Sequence, residues 1–233
     1  MDKRTSLRVV NETISLRERT TEVLRNAILD LTFKPGEKLV ERKLCEETGV
    51  SRTSIRESLR VLEAEGLVSR ESGKGLCVNK VTTEEIRNIY EVRRMLEGAL
   101  LRKICESGTD AHIAALRKAV DRAAQFADPT KMKSAVEHAN ALNEVLKAIT
   151  VGGENKVAQD FLLSLSVRMT YIRSFVSRSA TPEERKVTMA LLQEVVEAVE
   201  ARDGDAAADA YYRYIDRATA RAVELASRAV TEA

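Results

Sequence analysis

The sequence has no tryptophan, three prolines, and aromatic residues at only 4% of its 233 positions. Its three cysteines, Cys45, Cys77 and Cys105, are odd in number, widely spaced and without a CxxC pair. That argues against a disulfide framework and a zinc ribbon, and each is expected to be a buried reduced thiol in a cytoplasmic protein. Histidine is equally sparse: His112 and His138 lack an HExxH spacing and are expected to be ordinary surface or helix-edge residues. No apolar run approaches the roughly 20 residues of a membrane span, and the N-terminus lacks the apolar core of a secretory signal. GxGxxG, GxxxxGK[ST] and GxSxG patterns are also missing, so neither a phosphate loop nor a nucleophile elbow is indicated. Together these absences argue against catalysis, a bound cofactor and a membrane.

What is present is charge on helices. Charged residues make up 32% and hydrophobic ones 44% of the chain, with a net charge of +2. The excess is uneven: residues 1–80 hold 16 Lys and Arg against 13 Asp and Glu, and the remainder is slightly acidic. A basic excess confined to one part fits contact with phosphates.

The most informative stretch runs from Glu41 to Gly66: a short helix, a turn at Gly49, and a second helix opened by Ser51. In the second helix Ile55, Leu59 and Leu62 form one buried stripe. Arg52, Thr53, Arg56 and Arg60 cluster on a neighbouring open face, where guanidinium and hydroxyl groups suit a major groove. A first helix is expected over 16–31, closed by Pro35-Gly36. After Gly66, Leu67–Glu71 and Leu76–Val78 can pair as strands across a Ser-Gly-Lys-Gly tip that projects Lys74. Three helices and a hairpin over 15–80 make a winged helix-turn-helix, preceded by a loose arm over 1–14.

From Glu84 onward only helical patterns occur, at about 84–106, 110–126, 130–150, 155–178, 183–202 and 205–230. The fold class is therefore mostly α, with the winged unit followed by an antiparallel bundle of about six helices over 84–233. Four polar residues intrude on apolar faces: Arg93 (paired i, i+4 with Glu97), Asn143, Arg168 and Tyr214. Either they satisfy one another internally, or they line a cavity that receives a carboxylate or phosphate.

Lys34-Pro35-Gly36-Glu37-Lys38-Leu39, Glu41-Arg42-Lys43-Leu44, the run from Gly49 to Leu59, Leu62–Val68 and Gly73-Lys74-Gly75 resemble, in this order, the winged helix of the GntR family of bacterial transcription regulators. Glu91–Glu97, Gly153-Glu154-Asn155 and the 201–206 link resemble the FCD ligand-binding domain of the FadR-type subgroup; six helices would favour its VanR-like branch. The resemblance implies a homodimeric regulator, a repressor in its direction of action, that binds a pseudo-palindromic operator and answers to a small metabolite. It assigns Arg42, Arg52 and Arg56 to bases or backbone, Ser51 and Thr53 to phosphates, and Gly73 and Lys74 to the neighbouring groove. Positions where many such relatives hold a metal fall here on Ala139, Asn143, Leu192 and Tyr214, so no metal is expected. Asn143 and Tyr214 thereby join Arg93 and Arg168 as the candidate effector site. The alternative is a helical module whose winged helix contacts proteins.

Overall fold

The computed structural model describes residues 15–126 and 135–231. The arm expected over 1–14 and the start of the helix expected at 130 lie outside them. Helix α1 (Leu16–Leu29) begins in a capping box, with the Ser15 hydroxyl accepting from the Glu18 N–H and the Glu18 carboxylate accepting from the Ser15 N–H. At Gly36 the backbone takes φ 80°, which turns its N–H toward the Val78 carbonyl at 2.8 Å. Helix α2 (Glu41–Thr48) ends on Gly49 in the left-handed conformation at φ 68°. Helix α3 (Arg52–Ala64) is capped by Ser51, whose hydroxyl accepts from the Ser54 N–H. Strands β1 (Val68–Glu71) and β2 (Gly75–Val78) pair antiparallel, from Val68 opposite Val78 to Glu71 opposite Gly75. Ile55, Leu59 and Leu62 pack in one cluster with Leu24, Ile28 and Leu44; each such buried side chain contributes about 1.5–3 kcal/mol.

The rest is helical: α4 (Thr83–Ser107), α5 (Asp110–Ala124), α6 (Ala135–Gly152), α7 (Lys156–Ser164), α8 (Ser166–Ser179), α9 (Pro182–Glu200) and α10 (Gly204–Thr231). Thr82 and Thr181 cap α4 and α9, and Pro182 sits in the first turn, where its missing N–H costs nothing. Helix α10 packs along α4 and α9, while α6 packs along α5 and α8.

One expected helix, 155–178, is two. Leu165 breaks it by turning tightly, its N–H bonding to the Leu162 carbonyl at 3.2 Å. The break makes seven helices among the described residues of this unit, so the VanR-like assignment, which rested on six, loses its ground.

Helix α8 joins the two units. Its Tyr171 is buried in the core of the winged unit, beside Val136 of α6. The Tyr171 hydroxyl donates to the Asn79 carbonyl at 3.1 Å, and the Ser174 hydroxyl and Arg178 Nη2 donate to the Leu29 carbonyl at 3.1 and 3.3 Å. Carbonyls in the last turn of a helix have no partner within it, and here α8 supplies partners for α1.

Candidate functional site

The exposed side of α3 carries Arg52, Thr53 and Arg56, and a groove runs from it to the hairpin. Among the described residues, Lys38, Arg42, Arg52, Arg56, Arg60 and Arg70 line that groove against only Glu41 and Glu63. Glu41, in the first turn of α2, is central: it accepts from Arg52 Nε at 2.9 Å and from Arg56 Nε at 2.9 and 3.0 Å. The Arg52 hydrogen bond is the main reason its carboxyl is held below the usual range. Arg42 is highly exposed and pairs with Glu46 at 2.8 Å. Ser51 uses its hydroxyl as the α3 cap and also lies 3.1 Å from the Ser54 hydroxyl. At the hairpin tip Gly73 takes φ 76° with open space where a Cβ would be, and Lys74 reaches back to Glu71 at 3.0 Å. The seven residues expected to touch nucleic acid thus lie on α2, on α3 with its cap, and at the hairpin tip.

The four residues expected around an effector are not brought together. Tyr214 lines a cavity of about 80 Å³ between α4, α6, α8, α9 and α10. Asn143 lies behind its wall, where the amide oxygen accepts from Arg173 Nη1 and the amide nitrogen donates to Thr170 at 2.5 Å. Arg93 is fully buried in a two-bond pair with Glu97, at 2.8 and 3.1 Å, and also donates to the Tyr211 hydroxyl at 3.0 Å. Burial is the largest influence and disfavours its charge, but Glu97, Tyr214 and Tyr90 together outweigh it and raise the pKa. Arg168 points elsewhere: it meets Glu85 at 3.6 Å and packs against Gly66 at the end of α3.

The cavity instead presents Arg173 and His138. Arg173 is 5% exposed, no carboxylate pairs with it among the described residues, and its Nε has no hydrogen-bond partner. Burial holds its pKa below the ordinary value. His138, expected at a surface or helix edge, is buried; its Nδ1 lies 2.7 Å from the Ser177 hydroxyl and its Nε2 is unpartnered. Burial, then the charges of Arg185 and Arg173, push its pKa down to about 4, so it is neutral near pH 7. Around these polar groups the wall is apolar, with Leu142, Val176 and Ala218, and the Glu184–Arg221 pair at 3.1 Å adds opposed charges. A buried guanidinium without a counter-ion beside a neutral imidazole can hold a small anion.

Residues 16–78 match the family described as bacterial regulatory proteins, gntR family, and residues 88–217 match the FCD domain. The chain is a gntR-family protein with an FCD domain. It is 32% identical over 98 residues to YdhC, an uncharacterized HTH-type transcriptional regulator of Bacillus subtilis, covering 42% of this chain and 44% of that protein. It is 28% identical over 165 residues to the Glc operon transcriptional activator of Escherichia coli K12, covering 64% and 65%. With the HTH-type transcriptional repressor RspR of the same strain it shares 23% over 197 residues, covering 84% of each. The matched part is thus less than two thirds of YdhC and of the Glc activator. Among solved structures, a GntR regulator from Rhodococcus sp. RHA1 superposes with TM-score 0.71 at 24% identity, covering 89% of this chain and 97% of that one. E. coli McbR/YncC does so with TM-score 0.72 at 20% identity, covering 91% and 99%. Both share the fold.

The metal that many FCD relatives hold does not fit this donor set. Ala139 and Leu192 offer no ligand, Asn143 is committed to Arg173 and Thr170, and the Arg173 guanidinium nearby repels a cation. Three site residues of this gntR-family chain escaped the sequence reading. Glu41 gave no local signal, because its two arginine partners lie 11 and 15 residues further along the chain. His138 shares a helix face with Leu142, four residues on, which is a burial signal. Arg173 carries the same signal, four residues after the buried Met169 on α8.

Proposed function

We propose that this chain is a transcription regulator whose α3 reads an operator and whose cavity ligand adjusts operator affinity. The observation that carries the reading is one helix, α8, with Arg173 and Ser177 on the cavity and Tyr171 and Ser174 on the winged unit. In this reading Arg52 and Arg56 contact bases, Arg42 bases or backbone, Ser51 and Thr53 phosphates, and Gly73 and Lys74 the adjacent groove. The chain divides into a winged unit over 15–80 and an effector and dimerisation unit over 84–233. Two copies would set their recognition helices about 34–36 Å apart on a pseudo-palindrome. The protein acts on DNA in the cytoplasm and is not an enzyme.

The effector is a small organic acid. Arg173 supports this, as a buried cation that an anion would neutralise, and phosphate remains the competing anion. The cavity, at about 80 Å³, is roughly half of the ~150 Å³ that takes a benzene ring, which favours a short acid. A ligand moves operator affinity only by binding two arrangements of the protein differently. Here the two arrangements differ in how α8 seats Tyr171. Among relatives both an activator and a repressor occur by name; a ligand-released repressor is the arrangement proposed here.

The test is selection of a duplex from a random library by the full chain, followed by binding of Arg52→Ala and Arg56→Ala. Each substitution should weaken the selected duplex by about 1–3 kcal/mol and random DNA much less. Equal losses on both would remove these residues as base readers.

A further inference from the structure

We infer that Glu41 is a positioning residue that sets the sequence specificity of the α3 face, by holding Arg52 and Arg56 through their Nε–H groups and leaving their Nη edges free for bases. The inference rests on the proposed reading of DNA by these two arginines. Three observations carry it. First, one carboxylate serves both guanidinium groups, at 2.9 Å to Arg52 Nε and at 2.9 and 3.0 Å to Arg56 Nε. Second, its side chain is 30% exposed, while those of Arg52 and Arg56 are 70% and 53% exposed. The carboxylate is therefore the inner member of the group, and the arginines project beyond it. Third, Glu41 is not the cap of α2: that place belongs to Val40, which makes no side-chain capping bond.

The chemistry follows from the shape of guanidinium. Its five N–H groups form a rigid fork, and the edge made by Nη1 and Nη2 matches the O6 and N7 acceptors of guanine. An acceptor on Nε fixes the plane of the group without occupying that edge. A carboxylate here also removes one unit of positive charge from a groove that otherwise attracts any phosphate backbone. Non-specific affinity depends on how many phosphates the protein neutralises, so a lost charge lowers it for every sequence. Aligned forks raise affinity only where guanines stand opposite. Both effects widen the ratio of specific to non-specific binding.

The experiment uses the full-length chain, the duplex it selects from a random library, and a scrambled duplex of the same composition. Fluorescence anisotropy follows binding of the wild type and of Glu41→Gln between about 50 and 200 mM salt, where phosphate contacts register most clearly. In Glu41→Gln, binding to the scrambled duplex should strengthen several-fold, and the log–log salt slope should steepen by about one unit. The penalty for replacing the G·C pairs that Arg52→Ala and Arg56→Ala identify should fall by about tenfold, the order that one guided bidentate contact supplies. Glu41→Asp keeps the charge on a shorter arm, so it should restore the salt slope while leaving those penalties reduced.

Wild-type penalties in either variant would overturn the inference. So would an equal loss on both duplexes with a lowered melting temperature, which would make Glu41 merely structural. If Arg52→Ala and Arg56→Ala show no base-selective loss, the proposed DNA reading itself fails. If they do and Glu41→Gln keeps wild-type penalties, only the role of Glu41 fails.

Discussion

Replacing Tyr171 by alanine should uncouple the winged unit from the helices behind it. The ring is 4% exposed and sits in the cluster that holds Leu24, Ile28 and Leu62, although it belongs to α8. Truncating a buried aromatic typically costs about 3–5 kcal/mol, because the site closes only partly over the space left behind. The hydroxyl contributes a separate part: its bond to the Asn79 carbonyl at 3.1 Å is worth about 0.5–1.5 kcal/mol net. Tyr171→Phe isolates that part, since the ring stays. The two variants should therefore differ by a few kcal/mol in urea titrations followed by circular dichroism. Differential scanning calorimetry adds a second readout. Tyr171→Ala should separate the melting of the two units, whereas Tyr171→Phe should melt in one transition like the wild type. A Tyr171→Ala cost below about 1 kcal/mol, or equal costs for Phe and Ala, would refute the view that this ring locks the units together.

Stability should also depend on pH through His138. Its folded pKa lies near 4 and its unfolded pKa near 6.5, so unfolding takes up a proton between these values. Stability is full above about pH 6.5 and falls by about 2 kcal/mol by pH 5. Glu18, Glu41, Glu200 and Glu224, whose carboxyls are held below the usual value, lose their contributions only at lower pH. His138→Asn should flatten the pH 5–6.5 segment, and an unchanged slope would contradict the assignment. Glu97→Gln should cost about 3–5 kcal/mol in denaturant titrations, because it leaves the Arg93 guanidinium buried without its carboxylate; a loss below 1 kcal/mol would mean that Arg93 finds another counter-charge. Lys74→Ala should weaken selected and random duplexes alike and reduce the salt slope by about one unit. A sequence-dependent loss would move Lys74 from backbone to base contact.

The winged unit was legible because its signals are local. Gly49 and Gly36 stand where the chain needs positive φ, Ser51 caps the helix it opens, and the Ile55–Leu59–Leu62 stripe has one phase from end to end. The cavity was legible only in part, for a reason visible at Leu165. An unbroken helix over 155–178 puts Arg168 in one arc with Val157, Phe161 and Leu165. The break at Leu165 separates them: Val157 and Phe161 are exposed on α7, and Arg168 turns toward Glu85 and Gly66. Arg93 and Glu97 are a different case: their i, i+4 spacing announced a pair, and the structure pairs their charges, with Tyr211 taking a further bond and Arg93 Nη1 left without a partner among the described residues. Glu41 was hidden because its partners lie 11 and 15 residues away, across a turn.

The central claim is that occupancy of the Arg173 cavity controls binding by α3. Its most direct test is the affinity of the full chain for its selected duplex during titration with acetate, lactate, succinate and citrate, with inorganic phosphate as the competing anion. At least one carboxylate should shift the wild-type affinity by about 5–150-fold, the range of typical coupling energies. Arg173→Met should keep the unliganded affinity and lose the shift. A shift of equal size in Arg173→Met, or no shift in either protein, would contradict the account.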